Sequence, residues 1–346
     1  MRKYLISEKG KFYKANLHSH SKHSDGQFKP EVMKEYYMKN GYSIIAYSDH
    51  DIVVAHPELS DENFLALTAC EYEVNGKAED GDYPLTCHFG AISLKEDPGN
   101  QLFWRREDEL WFVKERSGHL AKFDPDEPVY ERKYTPECIN DMMKRLKDAG
   151  YFVTYNHPAW SQENYPIYSR YEEMDALEIM NSEAHMVAGC IEHDEQVYDD
   201  LLRQGKRVYC VAGDDNHAAF EPYSPWKTLY KCYTMIKAED LSYPSVAKAL
   251  SNGDFYASQG PVLNALYIED GKLCVECEPV YKIMFTAFPK RGKVVIEKDS
   301  TVTYGECELF PDNLYIRVTL VDEHGKKAFT NAYFMEDILE KNTNEA

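Results

Sequence analysis

Eleven residues near the N-terminus, Asn16-Leu17-His18-Ser19-His20-Ser21-Lys22-His23-Ser24-Asp25-Gly26, hold three histidines, an aspartate and a glycine. His18 and His20 alternate, and alternate residues of a β-strand project from one face. Two neutral imidazoles on one face make half of a metal site, because imidazole nitrogen is a favoured ligand for zinc, iron, nickel and copper. A lone His-x-His is as often a solvated strand end. The weight comes from the clusters that follow. His50 in Ser48-Asp49-His50-Asp51, Glu71, His88, His157 in Asn156-His157-Pro158, and Asp215-Asn216-His217 each stand where an apolar run starts or stops. Six histidines (His18, His20, His50, His88, His157, His217) and three carboxylates (Asp25, Glu71, Asp215) result. They suffice for about three divalent ions if each takes about four to six ligands, one carboxylate bridges and water fills the rest.

The elements that must position these groups follow from period and punctuation. Residues 12–18 read as a strand leading into the His-x-His. Pro30 suits the first turn of a helix that Asn40-Gly41 ends. Residues 42–48 form a second strand, completing a βαβ unit with parallel strands. The apolar run 64–70 ends at Glu71, and the C-terminal end of a barrel strand is where a catalytic carboxylate belongs. Residues 74–84 read as a loop, and 86–92 as a strand with His88 near its start. In 95–135, Trp104, Trp111 and Phe112 alternate with Arg105, Arg106, Lys114 and Arg116. This is a helical insertion, either a lid carrying basic residues toward a phosphate or a surface helix with a buried aromatic face. Thr135 caps a helix from Pro136 to Asp148 that Gly150 stops. The strand 151–155 ends at Asn156-His157-Pro158, where proline removes a ladder donor. A strand at 176–180 leads to Glu183 and His185, which either line a pocket or are solvated. A helix at 190–204, a strand at 207–213, a strand at 230–236 and a helix at 245–252 complete the unit. A loop with Phe220, Pro222, Tyr223, Pro225 and Trp226 packs over it. From about residue 260 the texture changes to short alternating runs at 262–268, 273–278, 283–287, 293–297, 314–321 and 328–334, the pattern of a small antiparallel β-sandwich. Residues 336–346 are polar and expected to fray.

A chain of 346 residues with 43% hydrophobic content suits one large barrel plus a small module. The net charge of −20 argues against a nucleic-acid polymer or an anionic membrane as partner, since phosphate backbones are held by clustered Lys and Arg. A small phosphorylated substrate stays open, because bound divalent ions invert the local field. Nine cysteines without a disulfide-framework spacing, no apolar N-terminal leader and no membrane-length apolar run point to a reduced, cytoplasmic protein. Cys274-x-x-Cys277 lies in an alternating run, where its two cysteines face opposite sides and form no redox or zinc motif.

Taken together, His18-x-His20 with Ser24-Asp25-Gly26, Ser48-Asp49-His50-Asp51, Glu71, His88, Asn156-His157-Pro158 and Asp215-x-His217 resemble the polymerase and histidinol phosphatase (PHP) superfamily over roughly residues 12–256. The resemblance implies an α/β fold, a distorted (β/α)7 TIM-like barrel over residues 1–257 with a trinuclear metal centre at its strand C-termini. The β-domain, residues 258–346, lies outside that core, and Phe255 to Pro261 looks like the junction of two-domain members. Carried over, one metal takes His18, His20, Glu71 and Asp215, a second shares Glu71 and adds His88 and His157, and a third takes Asp25, His50 and His217. Some members have His where this chain has Asp25, and a carboxylate there makes manganese or iron as suitable as zinc. The fourth motif is usually Gly-Ser-Asp-x-His; here Asp214 replaces the serine, either supporting the ligands or competing with them.

The implied activity is hydrolysis of a small phosphorylated metabolite or nucleotide by a metal-activated hydroxide, with His18, His20, Glu71, Asp215 and His217 at the reacting centre. Arg170, Lys22 and the basic cluster at 105–116 are candidates to hold phosphate oxygens, and His185 to protonate the leaving group. Two other readings compete: an amidohydrolase-like metal-dependent hydrolase, which often wants a bridging lysine where Glu71 stands, and a non-catalytic metal-binding module. The β-domain is suited to shaping the pocket, binding a sugar or forming a homo-oligomer.

Overall fold

The computed structural model of the protein describes residues 2–77, 84–104, 111–218 and 228–340. Arg105, Arg106 and the 220–226 loop lie outside the described residues. In chain order the first half comprises β1 (Lys3–Tyr4), β2 (Lys11–Asn16), α1 (Pro30–Met38), β3 (Ile44–Tyr47), β4 (Leu65–Lys77), β5 (Pro84–Ser93), α2 (Trp111–Ser117), α3 (Pro136–Ala149), β6 (Tyr151–Tyr155), α4 (Pro158–Ser161) and α5 (Tyr165–Tyr168). Then come β7 (Ala176–Asn181), α6 (Ser182–Met186), α7 (Glu195–Arg203), β8 (Tyr209–Gly213), β9 (Tyr233–Ala238), α8 (Tyr243–Asn252) and β10 (Phe255–Ser258). The remainder is β11 (Leu263–Glu269), β12 (Lys272–Val280), β13 (Lys282–Phe288), β14 (Lys293–Ile296), β15 (Val302–Glu308), β16 (Tyr315–Val321), β17 (Lys327–Thr330), β18 (Tyr333–Phe334) and α9 (Met335–Glu340).

The punctuation acts as expected: Thr135 accepts the Cys138 amide as N-cap of α3, and Gly150 closes that helix at φ +93°. Strands β9-β2-β3-β4-β5-β6-β7-β8 lie side by side in a large mixed sheet. The pairs β2–β3, β3–β4, β6–β7 and β7–β8 are parallel, whereas β5 runs against both β4 and β6. The two ends of this run meet at Thr234 of β9, whose hydroxyl accepts the Ala212 amide at 2.9 Å and donates to the Ala212 carbonyl at 3.0 Å. Ala15, Ile44, Leu67, Ile92, Phe152, Ala176, Val211 and Ile236, one from each of these eight strands, share a single buried cluster with Val246 and Leu250 of α8. The strands therefore share one core, into which helix α8 packs.

The large sheet continues through β10 into β17, β16, β13 and β14, and a separate four-stranded antiparallel sheet, β1-β11-β12-β15, packs on that extension. Leu266, Leu273 and Val275 from one sheet interleave with Ile283, Phe285, Ile316 and Val318 from the other. Arg317, 1% exposed, reaches from β16 into α7 and donates to Asp199 at 2.9 and 3.1 Å and to Glu195 at 3.0 Å. Among the described residues no helix is long and apolar enough to cross a membrane. All nine cysteines are free, and Cys274 and Cys277 are both buried.

Three expectations need correction. Residues 74–77 and 84 are strand rather than loop, and Glu71 sits inside β4 rather than at its end. Tyr72 and Val74 keep alternating into the core, and β5 supplies the backbone partners as far as Lys77↔Pro84. Residues 336–340 belong to α9, held because Met335 and Ile338, three apart, are buried in the sandwich core. Residues 302–308 form a further strand, β15, outside the expected alternating runs.

Asp194 precedes α7 with its carboxylate buried and one oxygen unpartnered; burial pushes its pKa up to about 7 despite an amide contact from Ala159. A raised carboxyl pKa gives stability that is intact below the unfolded value and lost as pH rises through the folded one. Asp194→Asn should therefore raise the melting temperature at pH 8, by roughly 2–4 kcal/mol of stability, and leave it nearly unchanged at pH 4. Thermal denaturation at the two pH values checks this.

Candidate metal centre

The His-x-His leaves β2 into a loop that its own polar residues shape. Asp49 accepts the Ser21 amide and hydroxyl (both 2.8 Å) and the Ser24 amide and hydroxyl (3.0 and 2.8 Å). Gly26 closes the loop so tightly that a Cβ there would lie 2.2 Å from the His20 carbonyl oxygen. At the end of β8, a Cβ on Gly213 would lie 2.6 Å from the Cβ of His18, so glycine lets these two strand ends approach. His157 and Asp215 hold left-handed backbone, φ +26° and +53°, which costs about 1–3 kcal/mol each and persists where the surroundings enforce it.

The antiparallel course of β5 is what brings its early residue His88 to the same rim as the ends of the parallel strands. All nine residues expected as ligands meet there. The His18, His20, Glu71 and Asp215 donor atoms gather within 4.8 Å of one another. His20 Nε2 lies 3.0 Å from Asp215 Oδ1, 3.2 Å from His18 Nε2 and 3.3 Å from Glu71 Oε2. A second group joins His20, Asp25, His50 and His217, with Asp25 Oδ2 3.3 Å from His217 Nε2 and 3.7 Å from His50 Nε2. A third contains His50, Glu71 and His88. Glu71 connects them: Oε1 is 3.1 Å from His157 Nε2 and 3.4 Å from His88 Nδ1, while Oε2 is 3.2 Å from His18 Nε2 and 3.4 Å from His50 Nδ1. The grouping differs from the expected sets in three ways: His20 also belongs with Asp25, His50 also gathers with Glu71 and His88, and His157 gathers with His18 and Glu178.

The supporting residues were not foreseen. Glu178, fully buried in β7, accepts His18 Nδ1–H at 3.0 Å and the His157 amide at 3.1 Å, turning His18 Nε2 toward the other donors. Asn156 donates to Glu71 at 2.7 Å, and Asn181 to Asp215 at 3.1 Å and Glu178 at 2.9 Å. The one signal for Glu178 is a carboxylate inside the apolar run 176–180. Asp214 does not compete as a ligand, because its oxygens accept from Tyr37, Ser182 and the amides of Tyr230, Lys231 and Cys232. Glu178→Gln should weaken metal binding about 10–100-fold while leaving the fold intact, as titration calorimetry with manganese would show.

Burial alone would neutralise Glu71 and Asp215, yet the surrounding imidazoles hold both far below the ordinary carboxylate range. Burial likewise opposes charge on His20, but the neighbouring carboxylates of Asp215 and Glu71 carry it up to about 10. His50 is pushed down to about 3 by burial and by the neighbouring His20. Five buried donor atoms of the centre, His20 Nδ1, His50 Nδ1, Glu71 Oε2, His88 Nδ1 and His157 Nδ1, have no hydrogen-bond partner among the described residues. Folded proteins rarely leave such atoms unpaired, so a dense set of imidazole and carboxylate donors here fits divalent cations.

The centre floors a cleft of about 600 Å³ walled by Glu73, Thr86, Trp160, Glu183 and Val187. The residues expected to bind substrate are elsewhere. Arg170 is 54% exposed and pairs with Glu137 on the outer surface. Lys22 is exposed and does not line the cleft. His185 points away from it, bonded to the Cys190 carbonyl and facing a separate cavity, because α6 turns Glu183 and Ala184 to the cleft instead. In the insertion, Arg116 donates to the Ser24 carbonyl, and buried Arg132 donates to Asp51 at 2.5 Å and the Glu73 carbonyl at 2.7 Å. Both hold the site's loops, and no Lys or Arg among the described residues lines the cleft.

No family model matches the chain, and no curated protein does. Among solved structures, it is similar to an amidohydrolase from Chromobacterium violaceum with bound sulfate and no metal, at 15% identity and a TM-score of 0.37, over 62% of this chain and 93% of that one. It is similar to a provisionally named metal-dependent phosphoesterase from Bifidobacterium adolescentis, at 18% identity and a TM-score of 0.41, over 72% and 98%. It is also similar to a two-domain protein from Bacteroides vulgatus that contains a predicted PHP-like metal-dependent phosphoesterase, at 15% identity and a TM-score of 0.44, over 96% of this chain and 99% of that one.

Proposed function

We propose that this protein is a metal-dependent phosphoesterase of the PHP kind, hydrolysing a small phosphorylated metabolite or nucleotide. The observation that carries the proposal is the convergence of nine imidazole and carboxylate side chains on one rim, with five of their buried donor atoms unpartnered. In this reading strands β2 to β9 form a distorted (β/α)7 barrel, and residues 258–346, joined by β1, form a second module that β10 links to it. Three divalent ions would be held: one by His18, His20, Glu71 and Asp215, one by Glu71, His88 and His157, and one by Asp25, His50 and His217, with His20 shared between the first and the third. Bound there, such ions supply Lewis acidity and lower the pKa of water, both of which phosphoester hydrolysis needs near neutral pH.

The chain's own residues set the rest. Glu71 spans the groups with one oxygen toward each side. Glu178, Asn156 and Asn181 fix the orientation of His18, Glu71 and Asp215. Glu183 lines the cleft 3.8 Å from His217 and takes the place assigned to His185 as the group that gives a proton to the leaving oxygen. With no Lys or Arg among the described lining residues, an anionic phosphate depends on the ions for its counter-charge. No lysine among the described residues lines the cleft, and Glu71 occupies the position between the donor groups, which favours a phosphoesterase over the amidohydrolase-like alternative.

Hydrolysis of 4-nitrophenyl phosphate by protein loaded with manganese, zinc or iron tests the proposal. Turnover that disappears on chelation and returns with metal supports it. Full metal loading without turnover of any phosphate ester counts against it.

A further inference from the structure

The walls above the metal-binding floor have a chemistry of their own. Trp160 stands on α4, three residues after His157, and keeps 39% of its surface exposed while lining the cleft. Its ring lies 5.0 Å from the His88 ring in a tilted contact and 5.1 Å from the His157 ring in an edge-on one. The indole is thereby anchored against two of the floor imidazoles, with the remainder of its surface open to the cleft. Ala184, Val187 and Ala188 supply aliphatic surface on the α6 side, and Val187 is 49% exposed. Pro84 adds to the apolar wall from β5. The charged side chain on the hairpin wall is Glu73, and no Lys or Arg among the described residues lines this space.

Resting on the phosphoesterase reading, we infer that Trp160 is the platform for the substrate's leaving group, and that this group is a neutral, planar ring. A ring seated beside the indole gains apolar burial and aromatic contact at little conformational cost. A leaving group bearing a second anion would meet two carboxylates, Glu73 and Glu183, on the described walls. The substrate class is therefore a monophosphate ester of a ring-bearing alcohol, and compact aliphatic or doubly anionic phosphates are poor substrates.

Benzyl, ethyl and 4-carboxybenzyl phosphate separate these features with alcohol leaving groups of similar acidity. For the metal-loaded protein, kcat/KM for the benzyl ester should exceed that for each of the other two about tenfold, mainly through KM. In Trp160→Ala the benzyl-to-ethyl ratio should fall to about one, and Trp160→Phe should restore most of it. A ratio unchanged in Trp160→Ala, or a preference for the carboxybenzyl ester, overturns the inference. Calorimetry with benzylphosphonate and methylphosphonate keeps the platform testable even if no ester is hydrolysed and the phosphoesterase reading fails. Tighter binding of the benzyl compound that Trp160→Ala removes supports it, and equal binding, or none of either, overturns it.

Discussion

His20→Ala should lower kcat/KM by at least about a thousandfold and remove at least one metal ion per chain. No other side chain belongs to both four-residue donor groups: His20 sits with His18, Glu71 and Asp215 in one, and with Asp25, His50 and His217 in the other. Its Nε2 is 3.0 Å from Asp215 and 3.3 Å from Glu71, and its Nδ1 is 3.9 Å from Asp25. Its ring also stacks against those of His50 and His217, at 4.4 and 4.2 Å. Truncation therefore removes a donor from two groups and the surface that aligns two further imidazoles. A thousandfold loss corresponds to about 4 kcal/mol of transition-state stabilisation, within reach of a displaced ion. Steady-state kinetics and elemental analysis of the same preparation check both parts. A variant that keeps its full metal complement and turns over within tenfold of wild type would mean that the two groups do not share His20.

Metal removal should reverse the pH dependence of stability. In the metal-free protein, burial opposes charge on His20, but its carboxylate partners raise its pKa to about 10, and His18 is raised in the same way by Asp215 and Glu71. A histidine raised on folding contributes stability that is complete below the unfolded value of about 6.5 and is lost as pH rises through the folded value. His50, depressed to about 3 by burial and His20, works on the other side, since its contribution is lost as pH falls below about 6.5. The chelated protein should thus be most stable near pH 6.5 and weaken by several kcal/mol toward pH 10. The loaded protein should gain stability from pH 5 to 8, because protons compete with metal for the same nitrogens. At pH 8 the two forms should differ by about 10 °C in melting temperature. Melting curves with and without chelator from pH 5 to 10 test this, and parallel curves would contradict it.

The nine donor residues were legible because most of them stand beside an apolar run in the sequence, where residue type and position coincide. The support was not. Glu178 looks like an interruption of an apolar strand until His18 and His157 are seen against it. Asn156 and Asn181 carry no local mark that distinguishes them from strand-end polar residues. Arg170 and Lys22 carry charge with no period to say which way the side chain points, and His185 stands in a polar stretch after a strand that leaves its direction equally open. For His185 the neighbouring Glu183 two residues away takes the cleft, and a short helix such as α6 cannot turn both toward it. The extension of β4 was legible in the alternation of Tyr72 and Val74, but the acidic and glycine-rich residues around 75–82 outweighed it. The buried Arg317 clamp between β16 and α7 depends on tertiary pairing that no spacing records.

The central claim is that the rim holds a cluster of divalent ions. Elemental analysis of protein purified without chelator, then reconstituted separately with manganese, zinc and iron, tests it most directly. The account predicts about three equivalents per chain with at least one of these metals, falling when His20 is replaced by alanine. No stoichiometric metal under any of the three conditions would contradict it.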